Sequence, residues 1–153
     1  SIAVQLAKAR GAHVTATASG GKAALVRTLG ADEVIDYRST DVAQAARDMD
    51  VVFDTIGGDT QEASWASLKP GGILVSITAP PSAERAVAEG KRAGFVFIDP
   101  NAAILTDLAR MVDDGLIRPV IGGEFRLDHA AQAQEASETG RTTGKIVIYT
   151  GQP

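Results

Sequence analysis

The chain has 153 residues, of which 44% are apolar and 22% are charged, and this length is enough to bury a real core. Fifteen Lys and Arg against nineteen Asp and Glu give a net charge of −4, which argues against nucleic acid as the main partner because phosphate binding needs a basic excess. No cysteine is present, so disulfide scaffolds, thiolate zinc sites and cysteine nucleophiles are excluded.

The sequence also gives expectations about location. It has no stretch long and apolar enough to span a membrane, and its first ten residues lack the layout of a signal peptide. The absence of cysteine fits a reducing compartment, and we expect a cytoplasmic protein. The chain lacks an initiator Met and opens inside a helical pattern, which we interpret as a sign that something precedes it.

Helical and extended patterns alternate over the first half of the chain. Apolar residues at helical spacing predict a helix from Ile2 to Ala9, which Gly11 ends. The next predicted elements are a strand at 13–17, a turn at 19–21, a helix at 22–29, a strand at 33–37, a helix at 42–48, a strand at 50–54, a helix at 60–68, a turn at 69–72 and a strand at 73–77. The apolar runs at 50–54 and 73–77 are typical of strands buried on both faces.

The second half begins with the same alternation and then changes. Its predicted elements are a helix at 83–93, a strand at 95–98 that Asp99-Pro100 ends, a helix at 101–114, an edge or crossing strand at 117–121, an extended segment at 125–127, a helix at 128–139 and a strand at 146–149. Because the strands of the first part are too far apart for hairpins, the alternation predicts βαβ units and a parallel sheet, an α/β fold.

The residues just after each strand are the candidate ligand contacts, because ligands of open parallel sheets bind beyond the carboxyl ends of the strands. The strand at 13–17 is followed by Ser19, two glycines and Lys22, without the Asp or Glu that holds the ribose in an NAD-specific site. Ser19 can donate a hydrogen bond and Lys22 supplies charge, which suits a 2′-phosphate. The alternative, in which Ser19 only caps a helix and Lys22 is solvated, stays open from spacing alone.

Two further strand ends carry candidates. Tyr37 is either a half-buried residue at a strand end or a wall for an adenine, with its hydroxyl or Arg38 near a phosphate. Gly57 and Gly58 either let a ligand approach the backbone or simply permit a turn into a helix.

Other motifs are less informative. His13 and His129 are expected to be structural or exposed, and no His, Asp and Glu cluster has metal-ligand spacing. The Gly-x-Ser-x-Gly motif of a hydrolase elbow is absent, and Trp65 is expected to pack its helix on the sheet.

An ordered set of stretches resembles the medium-chain dehydrogenase/reductase superfamily, most of all its zinc-independent, quinone-oxidoreductase-like branch. The set comprises residues 1–41, DVVFDTIGGDT at 50–60, LKPGGILVSI at 68–77 and ETGRTTGKIVI at 138–148. The resemblance covers essentially the whole chain. It implies a Rossmann-type doubly wound parallel sheet and the transfer of hydride from NADPH to a quinone or an α,β-unsaturated carbonyl.

The resemblance implies where NADPH binds its adenosine end. Ser19, Lys22 and Tyr37 stand where NADPH-preferring members bind the adenosine 2′-phosphate. Gly57 and Gly58 match glycines that lie beside the cofactor after the fourth strand.

The nicotinamide end is implied with fewer residues. Thr78 and Ala79 match the turn that lies toward the nicotinamide, and residues 97–100 fall nearby. Arg141 and Lys145 are additional candidates. No acid or base is assigned a catalytic role, and no metal is implied.

The family pattern also contains parts that this sequence does not show. Family members carry a first strand and a Gly-rich turn, where the pyrophosphate sits, and a GroES-like catalytic domain. We therefore divide the chain into a truncated NAD(P)-binding Rossmann domain, 1–116, and a segment that returns to the catalytic domain, 117–153. Without a central first strand, the inner edges of the strands at 13–17 and 50–54 are unpaired, which invites association. We expect a homo-oligomer, in the form of a dimer.

Two alternatives remain. DVVFDTIGG followed by LKPGGILVSI also resembles a Rossmann-like S-adenosylmethionine methyltransferase, although such enzymes place an acidic residue where this chain has Ala18-Ser19. The other alternative is a non-catalytic assembly module derived from a truncated reductase, which pairs through the strands at 117–121 and 146–149.

Overall fold

Helices and strands alternate along residues 1–98 and 100–151, which are the residues described by the computed structural model. The helices are α1 Ile2–Ala9, α2 Ala23–Thr28, α3 Val42–Ala45, α4 Gly58–Ser64, α5 Ala83–Ala88, α6 Ala102–Asp113 and α7 Ala130–Glu138. The strands are β1 Thr15–Ala18, β2 Glu33–Asp36, β3 Met49–Asp54, β4 Leu68–Ser76, β5 Arg92–Phe95, β6 Ile121–Arg126 and β7 Lys145–Tyr149. Short 3₁₀ turns lie at Gly20–Lys22, Trp65–Ser67 and Leu127–His129.

The chain divides into two compact units. The first unit comprises residues 1–14, 28–31 and those from 102 onward, and the second comprises 15–27 and 32–101. The domain boundary that the sequence predicts at residue 116 concerns the complete protein and stays a prediction.

The second unit contains two parallel sheets. β1 pairs with β2, and β3, β4 and β5 form a three-stranded sheet in that order. Every pair is parallel and every crossover carries helix, which confirms the predicted α/β class with βαβ units. Parallel pairing places the carboxyl ends of neighbouring strands side by side, so that Asp54 lies opposite Ser76.

One face of the three-stranded sheet carries the core of this unit. Trp65 is fully buried there, which confirms its predicted packing role, and the other members of the cluster are Leu68, Leu74 and Ala86, with Met49, Val52 and Ala93 packed against them. Val51 and Phe53 lie on the opposite face and are 57% and 46% exposed. The prediction that the strand at 50–54 is buried on both faces is therefore wrong, because its side chains alternate and only the Val52 face meets the cluster.

Two predicted boundaries in this sheet are also wrong. β4 begins at Leu68, so the turn predicted at 69–72 lies inside a strand, where a register shift against β3 takes up the additional residues. β5 covers Arg92–Phe95 and not 95–98, because these four residues are the ones that pair with residues 73–76 of β4. Asp99, predicted to end that strand, lies outside the described residues.

The first unit contains α1, α6, α7 and a parallel pair formed by β6 and β7. The strand predicted at 117–121 is wrong, because β6 begins only at Ile121 and continues through two glycines. The backbone of Arg118 instead bonds to a side chain, since its N–H donates to Gln5 Oε1 at 2.8 Å and its carbonyl accepts from Gln5 Nε2 at 2.9 Å. No described helix is both long and apolar enough to cross a membrane.

Gln5 is buried, with only 7% of its surface exposed, and its amide substitutes for a strand partner of Arg118. Gln5→Glu keeps an acceptor for the Arg118 N–H but sets a carboxylate against the Arg118 carbonyl, so we expect a loss of about 1–3 kcal/mol in the free energy of unfolding. Chemical denaturation of the complete protein measures it. Gln44→Glu on an exposed position of α3 is the matched control, and equal stability of the two variants would contradict the role of Gln5.

The open strand edges give a second prediction. Within the described residues β1 pairs only with β2 and β3 only with β4, and Val51 and Phe53 remain partly exposed. We expect the 153-residue chain on its own to aggregate, to recruit a strand from another copy, or to become ordered only within a larger polypeptide. Solution scattering tests this, and a compact, monodisperse monomer with a native-like melting transition would refute it.

Candidate functional site

The candidate residues of the sequence lie at the carboxyl ends of strands in the second unit, in two groups. Ser19, Lys22 and Tyr37 follow β1 and β2. The other group, at the ends of β3 and β4, comprises Gly57, Gly58, Thr78 and Ala79.

The turn after β1 is short and partly open. Ser19 has extended backbone dihedrals, and the N–H of Lys22 donates to its carbonyl at 2.8 Å, which closes a 3₁₀ turn. The side chain of Ser19 makes no capping hydrogen bond in this turn. A Cβ added to Gly21 would meet no atom within 4 Å, so the turn leaves room beside its backbone. A hydroxyl, an ammonium group and open backbone together suit a phosphate group.

Asp36 belongs to the same strand ends, although the sequence pattern did not single it out. It lies opposite Ala18 in the register of β1 and β2. One carboxylate oxygen accepts from the N–H of Arg38 at 3.0 Å, and a Cβ added to Gly20 would lie 2.8 Å from the other oxygen. A side chain at position 20 would therefore require this carboxylate to move.

Tyr37 is 53% exposed, so about half of its surface is open to solvent and both interpretations of this residue stay open. The guanidinium carbon of Arg38 lies 6.0 Å from the centre of its ring, within the range of a cation–π contact. The ring therefore presents an accessible flat surface after β2.

The turn after β3 requires glycine at position 57. Gly57 has φ +81° and ψ −168°, a conformation open essentially to glycine alone. A Cβ added there would lie 2.7 Å from Thr78 Oγ1, whereas one added to Gly58 would meet no atom within 4 Å. The structure thus brings Gly57 against Thr78.

Asp54, the last residue of β3, is a buried carboxylate to which the sequence pattern assigned a strand position but no role. It is 4% exposed, and its Oδ1 accepts from the N–H groups of Ile56 and Gly57, each at 3.0 Å. Burial by itself raises the pKa of Asp54, but hydrogen bonds from Gly57, Ile56, Ser76 and Gln61 outweigh it and hold the pKa below its ordinary value. The group is therefore ionised at neutral pH.

The second oxygen of Asp54 connects this turn to the one after β4. Oδ2 accepts from Ser76 Oγ at 2.8 Å and from Gln61 Nε2 at 3.0 Å, with Thr78 Oγ1 at 3.4 Å. Gln61 Nε2 also donates to the carbonyl of Ala79 at 2.9 Å. We call Asp54, Gln61 and Ser76 the Asp54 network. An acidic residue three positions before a glycine at a strand end signals it in the sequence, but nothing there identifies Gln61.

None of the remaining candidates is a member of this network. Both histidines are exposed, and Arg141 and Lys145 belong to the first unit. Among residues 1–98 and 100–151, no group of three His, Asp or Glu side chains could hold a metal ion, and the sequence has no cysteine. The described residues therefore do not fit a zinc site. The zinc independence of the complete protein stays a prediction.

Comparison with protein-family models identifies a family for most of the chain. The family described as zinc-binding dehydrogenase matches residues 29–148, which is more than half of the chain.

Individual relatives match nearly the whole chain. The mitochondrial NAD(P)H oxidoreductase RTN4IP1 of Danio rerio is 32% identical, over 95% of this chain and 45% of its own length. The chloroplastic NADPH-dependent alkenal/one oxidoreductase of Arabidopsis thaliana is 36% identical, over 97% of this chain and 37% of its own. The quinone oxidoreductase of Coxiella burnetii superposes with a TM-score of 0.87 and 33% identity, over 98% of this chain and 49% of its own. The chain thus spans about half the length of these relatives or somewhat less.

Gly57 and Gly58 form a matched pair for testing the turn after β3. Gly57→Ala combines a strained backbone with a collision against Thr78, so we expect a loss of about 2–4 kcal/mol in the free energy of unfolding. Gly58→Ala adds only the strain of φ +54° in open space, and about 1 kcal/mol is expected. Denaturation of the complete protein measures both, and an equal cost for the two would show that the contact with Thr78 is unimportant.

Proposed function

We propose a hydride-transfer function for the complete protein, and this chain belongs to the zinc-binding dehydrogenase family of the medium-chain dehydrogenase/reductase superfamily. In this proposal the complete protein is an oxidoreductase that transfers hydride from NADPH to a quinone or an α,β-unsaturated carbonyl. The chain spans about half the length of its relatives, or less, so the activity belongs to the complete protein.

The turn after β1 carries the proposed preference for NADPH. β1 ends at Ala18, a position without the carboxylate that holds ribose hydroxyls in NAD-specific sites, and the turn offers Ser19, an open Gly21 and Lys22. A 2′-phosphate matches this set, because a hydroxyl donor and an ammonium group both bind phosphate oxygens. The names of relatives, which include NADPH-dependent alkenal/one oxidoreductase and quinone oxidoreductase, support the cofactor and the substrate class.

Asp36 offers an alternative to the proposed preference for NADPH, namely the binding of NADH. Its carboxylate lies beside Gly20, and a carboxylate near this turn can hold ribose hydroxyls of NADH instead. One of its oxygens is already engaged by the N–H of Arg38, which is the local turn-forming use of an Asp side chain. We therefore assign Asp36 to the turn and Lys22 to the phosphate.

NADPH, when bound, supplies the hydride, and the chain's own residues hold it. Ser19, Lys22 and Tyr37 bind the adenosine end, where the exposed ring of Tyr37 offers a surface for stacking. The turns that contain Gly57 and Thr78 lie toward the nicotinamide. No acid or base of the described residues is assigned a catalytic role, so the reduced group of the substrate takes its proton from elsewhere in the complete protein or from water.

The other expectations of the sequence are kept as parts of this proposal. The complete protein forms a homodimer and acts in the cytoplasm, although some relatives carry mitochondrial or chloroplastic in their names. A methyltransferase is disfavoured because β1 ends without an acidic residue, and none of the relatives named above is described as one. No observation favours a non-catalytic assembly module over a reductase.

Lys22→Ala tests the proposed cofactor preference. Removing the ammonium group should raise the Kd for NADPH by about ten- to a hundredfold, since a charge-assisted hydrogen bond to phosphate is lost. The Kd for NADH should change by less than about threefold, because NADH has no phosphate at this position. Calorimetry on the complete protein measures both constants.

The matched control is Lys69→Ala. Lys69 is a lysine near the amino end of β4, where it pairs with Asp50, far along the strands from the carboxyl ends. It should leave both constants unchanged. Equal weakening of NADPH and NADH by Lys22→Ala would refute the role in binding the 2′-phosphate.

A further inference from the structure

We propose that Asp54, Gln61 and Ser76 are positioning residues for the nicotinamide end of the cofactor, because their hydrogen bonds set the two turns that receive it. This inference rests on the proposed function, since it takes NADPH to be the ligand of these turns. None of the three is expected to touch the reacting atoms. They act through the backbone of residues 56–57 and 78–79.

The Asp54 network holds a negative charge without a cation. No basic side chain among the described residues is bonded to Asp54, and its two oxygens are satisfied by backbone N–H groups, a hydroxyl and an amide. A buried charge is costly unless it is fully hydrogen-bonded. Each donor must therefore stay in place, which restrains the backbone that carries it.

The two turns also share the same donors. Gln61 Nε2 contacts Asp54 Oδ2 and the Ala79 carbonyl at once, so a single amide group ties the end of β3 to the turn after β4. Ser76 Oγ donates to Asp54 and accepts from the N–H of Thr78 at 3.2 Å. Neither turn can shift without breaking a bond to the buried carboxylate or to one of its donors.

The buried side chains of the Asp54 network hold exposed residues of the turn after β4 in place. Asp54, Gln61 and Ser76 are 4%, 5% and 0% exposed, whereas Thr78 and Ala79 are exposed. A loop that only needed to connect β4 to α5 could bond to water. The hydrogen bonds from the buried residues hold this loop in one conformation. Less conformational entropy is then lost when a ligand binds to it.

Three variants of the complete protein test the inference. In Asp54→Asn the new NH₂ group faces another hydrogen-bond donor in either orientation of the amide. Gln61→Met removes the amide that bonds to both Asp54 and Ala79. Ser76→Ala removes the hydroxyl that donates to Asp54. For each variant we expect the Kd for NADPH to rise by about tenfold. Hydrogen exchange of the unliganded protein should show faster exchange at the amides of 56–57 and 78–79.

Leu68→Ala is the matched control, because it opens a cavity in the core cluster without touching the network. It should lower the melting temperature and leave both the NADPH affinity and the exchange of these four amides unchanged.

The double variant Asp54→Asn with Gln61→Glu separates stability from positioning. It restores an acceptor for the amide introduced at position 54, so stability should return in part. The new carboxylate cannot donate to the Ala79 carbonyl, so the affinity should stay low.

The outcomes distinguish this inference from the proposed function. Absence of NADPH binding by the unaltered protein would overturn the proposed function and this inference with it. NADPH binding by the unaltered protein, with unchanged affinity in the three variants, would overturn this inference alone. The inference would also be overturned if Leu68→Ala lost as much NADPH affinity as the three variants do for the same fall in melting temperature.

Discussion

The arrangement of the candidate residues at the ends of β3 and β4 depends on one buried negative charge. Asp54 ends β3 inside the second unit, and it is largely shielded from water, because it is only 4% exposed. The protein solvates this carboxylate with two backbone N–H groups of the turn after β3 and with the side chains of Gln61 and Ser76. These two side chains also bond to the backbone of the turn after β4, so both turns are restrained. Because the buried charge is stable only while these hydrogen bonds are intact, it restrains the loops at the carboxyl ends of the strands. Ligands of open parallel sheets bind at these ends.

This restraint explains why Gly57 is small and Ser76 is polar. Gly57 must be glycine because its backbone has φ +81° and ψ −168°, a conformation that other residues avoid, and because Thr78 occupies the space of a side chain. Ser76 is fully buried, yet it is polar because its hydroxyl has an obligatory acceptor. At the ends of β1 and β2 the arrangement differs, since the turn there is open and the carboxylate of Asp36 engages the backbone of its own turn.

The local signals of the sequence predicted much of this molecule. The alternation of apolar runs with glycine-bounded helical segments indicated the parallel α/β class, because each signal acts within a few residues. Boundaries that depend on pairing were wrong. The start of β4 is set by a register shift against β3, and Arg118 finds its partner in Gln5, which lies 113 positions away. Gln61 was missed for the same reason, since its two acceptors lie on different turns.

In our proposal, two groups of residues bind the two ends of one cofactor. A crystal structure of the complete protein with NADPH tests this most directly. We expect the adenosine 2′-phosphate within hydrogen-bond distance of Ser19 and Lys22, and the nicotinamide beside the turns that contain Gly57 and Thr78. A phosphate bound away from Lys22, or a nicotinamide that contacts neither turn, would contradict it.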